Sequence, residues 1–200
     1  VENYIQAYAA TSKDKTLEKY TSVLRENVEE LNGLIQEILD FRKAEDAGFS
    51  HTHIRRVSVS SLLRTQFEWF YPLSEQHQIQ FKIDAPKELY WNTDSVYFKK
   101  ILANLISNAF KYTEDGGTVR ISLHEEENFL VLKVYNTGKG IEEADMQNIF
   151  DRYRILGTMD NDDNRQNTAR NGLGLFICHS LVQSLGGKID IESEVGQYAK

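Results

Sequence analysis

The stretch Asn104-Leu105-Ile106-Ser107-Asn108-Ala109-Phe110-Lys111-Tyr112-Thr113 lies at the end of a longer segment. In that segment, residues 93–112, apolar residues recur at spacings of three and four. That spacing predicts a helix with one buried stripe. Asn104, Asn108 and Lys111 are four and three residues apart, so on a helix they share one neighbouring face. A solvated polar face would explain them, but asparagine is a poor helix former. The alternative is a site where amide oxygens and an ammonium hold Mg²⁺ and anionic oxygens.

Two glycine-containing segments follow this helix. Asn136-Thr137-Gly138-Lys139-Gly140-Ile141 comes directly after a predicted strand, where alternate glycines let the backbone approach a flat ligand. Asn171-Gly172-Leu173-Gly174-Leu175 opens an apolar helix, whose N-terminus offers free N–H groups to an anion. A plain turn and a helix cap are the structural alternatives. No Walker A or dinucleotide fingerprint occurs, which excludes the common nucleotide folds.

The remainder of residues 56–192 alternates between period-two and helical patterns. Strands are predicted at residues 56–60, 79–84, 119–123, 129–135 and 188–192, with a hairpin turn at 125–128. Helices are predicted at residues 61–76, 93–112, 142–151 and 174–185. This order predicts an α+β fold, a two-layer α/β sandwich with a mixed sheet covered by helices on one face.

Residues 154–171 form a mostly polar run that is rich in Asp, Asn and Arg. Loops of this length inside a compact domain are usually functional or disordered.

The N-terminal quarter has a different pattern, a heptad repeat over residues 17–41. Its two seam positions are Leu17, Leu24, Leu31 and Ile38 and, three residues on, Tyr20, Asn27, Leu34 and Phe41. The repeat favours a helix in a bundle or dimer over one that lies on its own domain. Residues 1–10 are expected to end a preceding helix, with a turn at 11–15.

Composition excludes several classes of protein. The chain has 200 residues and one cysteine, Cys178, which excludes a disulfide scaffold or a cysteine-built zinc site and fits a reducing compartment. Lys and Arg number 23 against 30 Asp and Glu, a net charge of −7 that gives no global attraction to nucleic acid or anionic lipid. No apolar stretch approaches the ~20 residues of a membrane span, so no direct membrane contact is expected.

The order of these motifs along the chain resembles the ATP-binding domain of sensor histidine kinases. The resemblance covers the amide-bearing helix, the strand followed by Gly-x-Gly-Ile, the segment Phe150-Asp151-Arg152-Tyr153, the polar loop and the Gly-x-Gly-Leu helix start. The superfamily includes gyrase, heat-shock chaperone and mismatch-repair ATPases and has the Bergerat-type ATP-binding fold. Residues 1–48 resemble part of a helical-hairpin dimerisation and phosphotransfer domain, and residues 49–200 the catalytic domain. Within the group, the chain is most similar to large hybrid two-component sensors.

The resemblance implies roles for particular residues. Asn108 would be the ligand of Mg²⁺, Asn104 and Lys111 would lie near the phosphates, and Tyr112 would lie against the nucleotide. The remaining expected ATP-binding residues are Asn136, Gly138, Gly140 and Ile141 around the base and Arg165, Arg170, Gly172, Leu173 and Gly174 around the phosphates. Residues 154–171 would be a lid over ATP, and Phe150 and Tyr153 would dock the lid or the hairpin.

The activity implied is transfer of the γ-phosphate of ATP to a histidine, followed by relay to a response-regulator aspartate. The implied partners are a second copy, through the hairpin, and a receiver domain; the parent would be a membrane-anchored sensor with this part in the cytoplasm. The family's phosphoacceptor lies in the first hairpin helix, but none of the five histidines does, so the chain is expected to begin after it and not to label itself. No catalytic residue is therefore assigned. Residues 196–200 are expected to stop before the domain's final strand.

Two positions distinguish between functions. The family usually has aspartate where this chain has Asn136, and the loss of a charged hydrogen bond to adenine is expected to cost on the order of 1 kcal/mol, roughly tenfold in affinity. A degenerate, non-catalytic nucleotide sensor is therefore the alternative function. Superfamily members that hydrolyse ATP typically have glutamate at the position of Asn104. The amide of Asn104 cannot accept a proton from water, so phosphoryl transfer to a histidine is favoured over hydrolysis. Two other functions are disfavoured. A serine kinase of the anti-sigma type lacks the helical hairpin that the heptad repeat predicts. A plain dimerisation module would leave the paired asparagines and both glycine pairs unexplained.

Overall fold

The structure is a computed structural model that describes residue 28, residues 52–151 and residues 173–200. The predicted hairpin domain, apart from the helical Val28, and the polar loop at 154–171 lie outside the described residues. In the part of the chain that the structure describes, no helix is both long and apolar enough to span a membrane.

The described residues form seven strands and four helices. In chain order they are β1 (Arg55–Ser58), α1 (Val59–Gln76), β2 (Gln80–Asp84), β3 (Tyr90–Thr93), α2 (Ser95–Tyr112), β4 (Thr118–Glu126), β5 (Phe129–Thr137), α3 (Glu143–Met146), α4 (Gly174–Ser184), β6 (Ser193–Glu194) and β7 (Tyr198–Ala199).

Five strands form the main sheet in the order β2-β4-β5-β7-β6. The β2–β4 pair is parallel and the other pairs are antiparallel, whereas β1 and β3 form a separate antiparallel ribbon. Asn136, near the end of β5, pairs with Val119 on one side and Ala199 on the other. The sheet is therefore mixed, as the sequence predicts.

The core lies between this sheet and the helices, with α2 at its centre. One buried cluster joins α1 and α2 to β2 and β4 and includes Leu63, Leu102, Ile106, Val119 and Ile121. A second cluster joins α2 to α4 through Ile101, Leu173, Ile177 and Leu181. Alternate residues of β4, Val119, Ile121 and Leu123, are buried, as expected for a strand with one covered face. The predicted α+β two-layer sandwich with a mixed sheet is confirmed.

Three element predictions need correction. The strand predicted at 188–192 is wrong, because pairing begins at β6, extended by reciprocal backbone hydrogen bonds between Glu192 and Lys200 of 2.9 and 2.7 Å. An alternating pattern indicates a covered face but does not supply a pairing partner. The helix predicted at 142–151 is shorter in the structure. It is limited to α3, four residues long, and turns follow in which Ile149 is the one buried residue. Strand β3 was not predicted, because four residues are too short for a period-two signal.

The predicted hairpin turn between β4 and β5 is confirmed. Glu127 and Asn128 have φ angles of +47° and +68°, which is the type I′ geometry that suits the twist of paired strands.

Candidate functional site

The start of α2 is fixed by Asp94. Its carboxylate accepts hydrogen bonds from the backbone N–H groups of Val96 and Tyr97, at 2.8 and 3.2 Å, and from that of His53 at 2.8 Å. Burial raises the pKa of Asp94, but these donors outweigh it, so the pKa lies below its ordinary value. The cap sets the first turn of α2 and thereby the direction in which its polar face points.

That polar face runs along the C-terminal half of α2. Asn104, Asn108 and Lys111 are half-buried, whereas the Tyr112 side chain is exposed. Lys111 Nζ lies 5.8 Å from the centroid of the Tyr112 ring, within the range of a cation–π interaction. The face therefore presents two amides, an ammonium and an aromatic ring at one end of the molecule.

Asn104 lies at the contact between α2 and α4. A Cβ atom added at Gly174 would be 3.6 Å from Asn104 Oδ1, so the first residue of α4 adjoins this carboxamide. One turn further along α4, the Cys178 thiol donates to the backbone carbonyl oxygen of Ile101 in α2 at 3.9 Å. Burial raises the pKa of the Cys178 thiol to about 12. The α4 start and the polar face of α2 are thus held together by a specific contact.

The end of α2 meets the end of β5 at Gly138. A Cβ atom at Gly138 would overlap the backbone carbonyl oxygen of Tyr112, and the Gly138 N–H donates to Gln197 O at 3.1 Å. Gly140, with φ of +67°, adjoins the carbonyl of Glu194 in the same way. Both glycines are therefore required by the close approach of the chain's own backbone. The sequence offered a flat ligand or a plain turn to explain them, and it did not indicate which backbone segments they approach.

Asn136 is a buried amide, 8% exposed, on β5 beside this junction. It pairs in register with the fully buried Val119, so its side chain lies on the helix-facing side of the sheet. Asn136 Nδ2 donates to the carbonyl oxygen of Thr137 at 3.2 Å. The Thr137 hydroxyl accepts the Thr118 N–H at 2.8 Å, which fixes this end of β5 to β4.

Ile141 and Leu173 have structural partners. The Ile141 N–H donates to Ser193 Oγ at 2.8 Å, so the segment after Gly140 is anchored to β6. The Leu173 side chain is buried in the α2–α4 cluster, and Leu173 is the residue directly before α4. Phe150, expected to dock the lid or hairpin, stacks on His179 of α4 with ring centroids 5.4 Å apart.

The donor chemistry fits magnesium held chiefly by phosphates. Among residues 52–151 and 173–200, no group of three or more His, Cys, Asp or Glu side chains is arranged to hold a metal ion. Mg²⁺ usually takes one or two protein oxygens and completes its octahedron with phosphates and water. The half-buried Asn108 carboxamide, whose oxygen is a hard donor, suits that arrangement.

The structure thus brings most of the predicted site residues to one end of the two layers. The direct contacts are those of Asn104 with Gly174 and of Tyr112 with Gly138. Arg165, Arg170, Gly172 and Tyr153 lie outside the described residues. Sequence reasoning missed Cys178, Gln197 and Ser193, because their roles come from contacts between segments distant in sequence, and it assigned no role to the Thr137 backbone.

The model of the family described as histidine kinase-, DNA gyrase B-, and HSP90-like ATPase matches residues 93–200. The chain is 28% identical over 194 residues to the sensor protein IrlS of Burkholderia pseudomallei, covering 94% of this chain and 40% of the relative. It is 29% identical over 187 residues to the sensor protein SrrB of Staphylococcus aureus, covering 94% and 31%. The chain therefore spans less than half the length of these relatives.

Among solved structures, the fold is similar to that of full-length ShkA in complex with AMPPNP. The TM-score is 0.74 at 24% identity, over 95% of this chain and 38% of that one. The matched family segment contains every described site residue from Asn104 to Gly174. The chain belongs to the histidine kinase-, DNA gyrase B- and HSP90-like ATPase family.

Proposed function

We propose that this chain binds ATP between the C-terminal half of α2, the end of β5 and the start of α4, as the catalytic part of a sensor histidine kinase. The observation that carries the proposal is the backbone contact of Tyr112 with Gly138. This contact puts the amide-bearing face of α2 and the buried Asn136 at one end of the fold, within the segment that the family model matches.

The proposed roles divide by the part of the nucleotide. Asn136, Gly138, Gly140 and Ile141 surround the base, and Tyr112 packs against the nucleotide. Asn104 and Lys111 face the phosphates, as do the N–H groups at Gly172, Leu173 and Gly174. Arg165 and Arg170 are proposed as further phosphate contacts. Asn108 supplies an oxygen ligand to Mg²⁺, which when bound offsets the charge on the transferring phosphoryl group.

The described residues favour transfer to an external acceptor. Phosphoryl transfer depends on positioning and charge stabilisation, which the amides, Lys111 and the α4 N-terminus supply. Asn104 cannot accept a proton from water, and its carboxamide lies beside Gly174 at the start of α4. The acceptor is therefore proposed to be a histidine on a helical hairpin, with relay to a response-regulator aspartate.

The proposed domain organisation places residues 1–48 in the dimerisation hairpin and residues 49–200 in the catalytic domain. The proposed partners are a second copy of the chain, through the hairpin, and a receiver domain. The proposed location is the cytoplasm, as part of a membrane-anchored parent; the relatives are named as sensor proteins, which agrees with a signalling role.

Calorimetry with the 200-residue chain tests nucleotide binding. The wild type should bind Mg-ATP at millimolar concentration or below, and Asn108→Ala should weaken binding at least tenfold because a metal ligand is lost. Ser107→Ala is the matched control: Ser107 is the exposed neighbour on α2 and should leave affinity unchanged. No heat of binding at millimolar Mg-ATP would contradict the proposal.

Phosphoryl transfer is tested on a version extended upstream to include a phosphoacceptor histidine. With γ-labelled ATP, the extended chain should acquire acid-labile label, and Asn108→Ala should remove it. ATP binding without any transfer would instead support the degenerate nucleotide sensor.

A further inference from the structure

The loop that follows β5, residues 138–141, rests on the turn between β6 and β7. The Gly138 N–H donates to the carbonyl oxygen of Gln197 at 3.1 Å, and the Gly196 N–H donates to that of Lys139 at 2.7 Å. Both hydrogen bonds join backbone groups, so no side chain supplies them. They bring the first half of the loop against the turn.

Ser193 of β6 makes a third link, and this one uses a side chain. Its Oγ accepts the Ile141 N–H at 2.8 Å and donates to the carbonyl oxygen of Tyr198 at 2.6 Å. A hydroxyl has one proton to donate, and the Tyr198 carbonyl takes it, so the lone pairs of Oγ are left to face the Ile141 N–H. Strand β7 therefore orients the hydroxyl that holds the last residue of the loop.

The loop depends on such contacts for its conformation. Residues 138–142 belong to neither a helix nor a strand, so no regular hydrogen-bond pattern fixes them. Gly138 and Gly140 allow the backbone many other conformations, and Gly140 has a φ of +67°. The conformation observed is therefore selected by the contacts with β6 and β7.

We propose that Ser193 is a positioning residue for nucleotide binding. The inference rests on the function proposed above, in which the loop lies beside the base. Ser193 acts through the Ile141 N–H rather than on the nucleotide, and it keeps the loop in the binding conformation. The apparent affinity of a site falls with the fraction of molecules in that conformation, so a loop that is held only part of the time binds more weakly.

Calorimetry of the 200-residue chain with Mg-ATP and Mg-ADP tests the proposal. Ser193→Ala should bind both nucleotides roughly fivefold more weakly than the wild type, because a neutral hydrogen bond of ordinary strength is lost. The loss should be equal for ATP and ADP, since the loop is proposed to lie beside the base and not the phosphates. Ser193→Thr keeps a hydroxyl and should restore both affinities to within about twofold of the wild type.

Ser184→Ala is the matched control. The Ser184 hydroxyl is also part-buried and donates to a backbone carbonyl oxygen, that of Ser180, at 2.8 Å. It lies near the end of α4 and, in the described part of the chain, makes no hydrogen bond to the loop. Its removal should leave both affinities unchanged. All variants are compared at a temperature at which they are folded, so that differences in global stability do not enter the ratio.

Amide hydrogen exchange separates positioning from a purely structural role. In Ser193→Ala the Ile141 N–H should exchange faster, because it has lost its acceptor. The Lys200 N–H, which donates to the Glu192 carbonyl at 2.7 Å, reports whether the end of the β6–β7 pair stays intact. Faster exchange at Lys200 with wild-type nucleotide affinities would overturn the proposal, because Ser193 would then stabilise only the strand pair.

The wild type gives a test that needs no variant. Mg-ATP at ten times its dissociation constant should slow exchange of the Ile141 N–H roughly tenfold, because binding favours the held loop. An unchanged rate would overturn the proposal, as would a loss of affinity confined to ATP or a Ser193→Thr variant as weak as Ser193→Ala. If the wild type does not bind ATP, the proposed function fails as well. If the wild type and Ser193→Ala bind equally, only this inference fails.

Discussion

At the scale of single residues, a sequence motif does not by itself show what its residues contact in the fold. Gly138 and Gly140 stand out in the sequence as a pair, and a ligand is the explanation that the pattern favours. In the structure, the nearest atoms to both are backbone carbonyls of Tyr112 and Glu194. The glycines let the end of α2, the end of β5 and β6 approach one another closely.

Replacement of Gly140 measures this packing requirement. Gly140→Ala should lower the free energy of unfolding by about 3 kcal/mol, since its methyl group meets the Glu194 carbonyl and φ is +67°. Gly116→Ala is the control, because Gly116 has a φ of +78° but no atom within 4 Å of an added Cβ. It should cost only about 1 kcal/mol. Chemical denaturation gives both values, and equal losses would show that backbone conformation alone requires these glycines.

A second residue-scale prediction concerns the Ser60 hydroxyl. Ser60 is fully buried on α1, and its Oγ is the one buried side-chain polar atom without a hydrogen-bond partner among the described residues. Ser60→Ala should raise the free energy of unfolding by about 1 kcal/mol, because an unsatisfied buried group is removed.

The control for Ser60 is on the same helix. Ser74 is also buried, but its Oγ donates to the Tyr71 carbonyl at 2.6 Å, so Ser74→Ala should destabilise the chain. Both substitutions replace serine with alanine in a helix, so they gain the same helix propensity. The difference between their effects on the free energy of unfolding therefore measures the hydrogen bond of Ser74. A loss of stability in Ser60→Ala would indicate that a water satisfies its hydroxyl.

At the scale of elements, α2 organises the molecule. Its apolar stripe builds both core clusters, its polar face carries the amides, and its last residue meets β5. The sequence predicted this helix well, because eighteen residues give a strong 3.6-residue period. It predicted α3 and β6 poorly, because elements of four and two residues depend on their neighbours for stability.

The Asp94 cap predicts a pH dependence for α2. Because the pKa of Asp94 is lowered in the folded chain, its ionised form stabilises the fold above the ordinary carboxyl pKa of ~3.9. That stabilisation is lost as the pH falls from about 4 through the lowered pKa. Asp94→Asn keeps a capping oxygen but no charge.

The measurement is the difference in unfolding free energy between wild type and Asp94→Asn. It should favour the wild type by about 1 kcal/mol at pH 7 and decrease progressively as the pH falls below about 4. A difference that stays constant from pH 7 to pH 2 would show that the three backbone donors do not lower the pKa of Asp94 in the folded chain.

At the scale of the whole molecule, the site depends on two helices and a sheet end that are far apart in sequence. The single cysteine reports on whether they stay together, because Cys178 lies fully buried where α4 meets α2. Burial raises the pKa of its thiol to about 12, so the folded chain should not react with a disulfide reagent at neutral pH.

Ligand binding should slow the labelling of Cys178. If ATP binds only the folded state, Mg-ATP at ten times its dissociation constant lowers the opened population, and hence the labelling rate, roughly elevenfold. Labelling by a coloured disulfide reagent measures the rate, and an unchanged rate in saturating Mg-ATP would mean that opening of α4 is not linked to the site.

The sequence by itself determined the class of fold and the long elements, and it predicted a set of residues for the candidate site. Period and residue type act locally, so helix faces and strand faces can be predicted without knowledge of what covers them. Only the tertiary structure decided that Tyr112 meets Gly138, that Asn104 lies beside Gly174, and that Asn136 donates to the Thr137 carbonyl. Contacts between segments depend on how the layers pack, and the direction of a buried amide depends on its neighbours, neither of which a local pattern specifies.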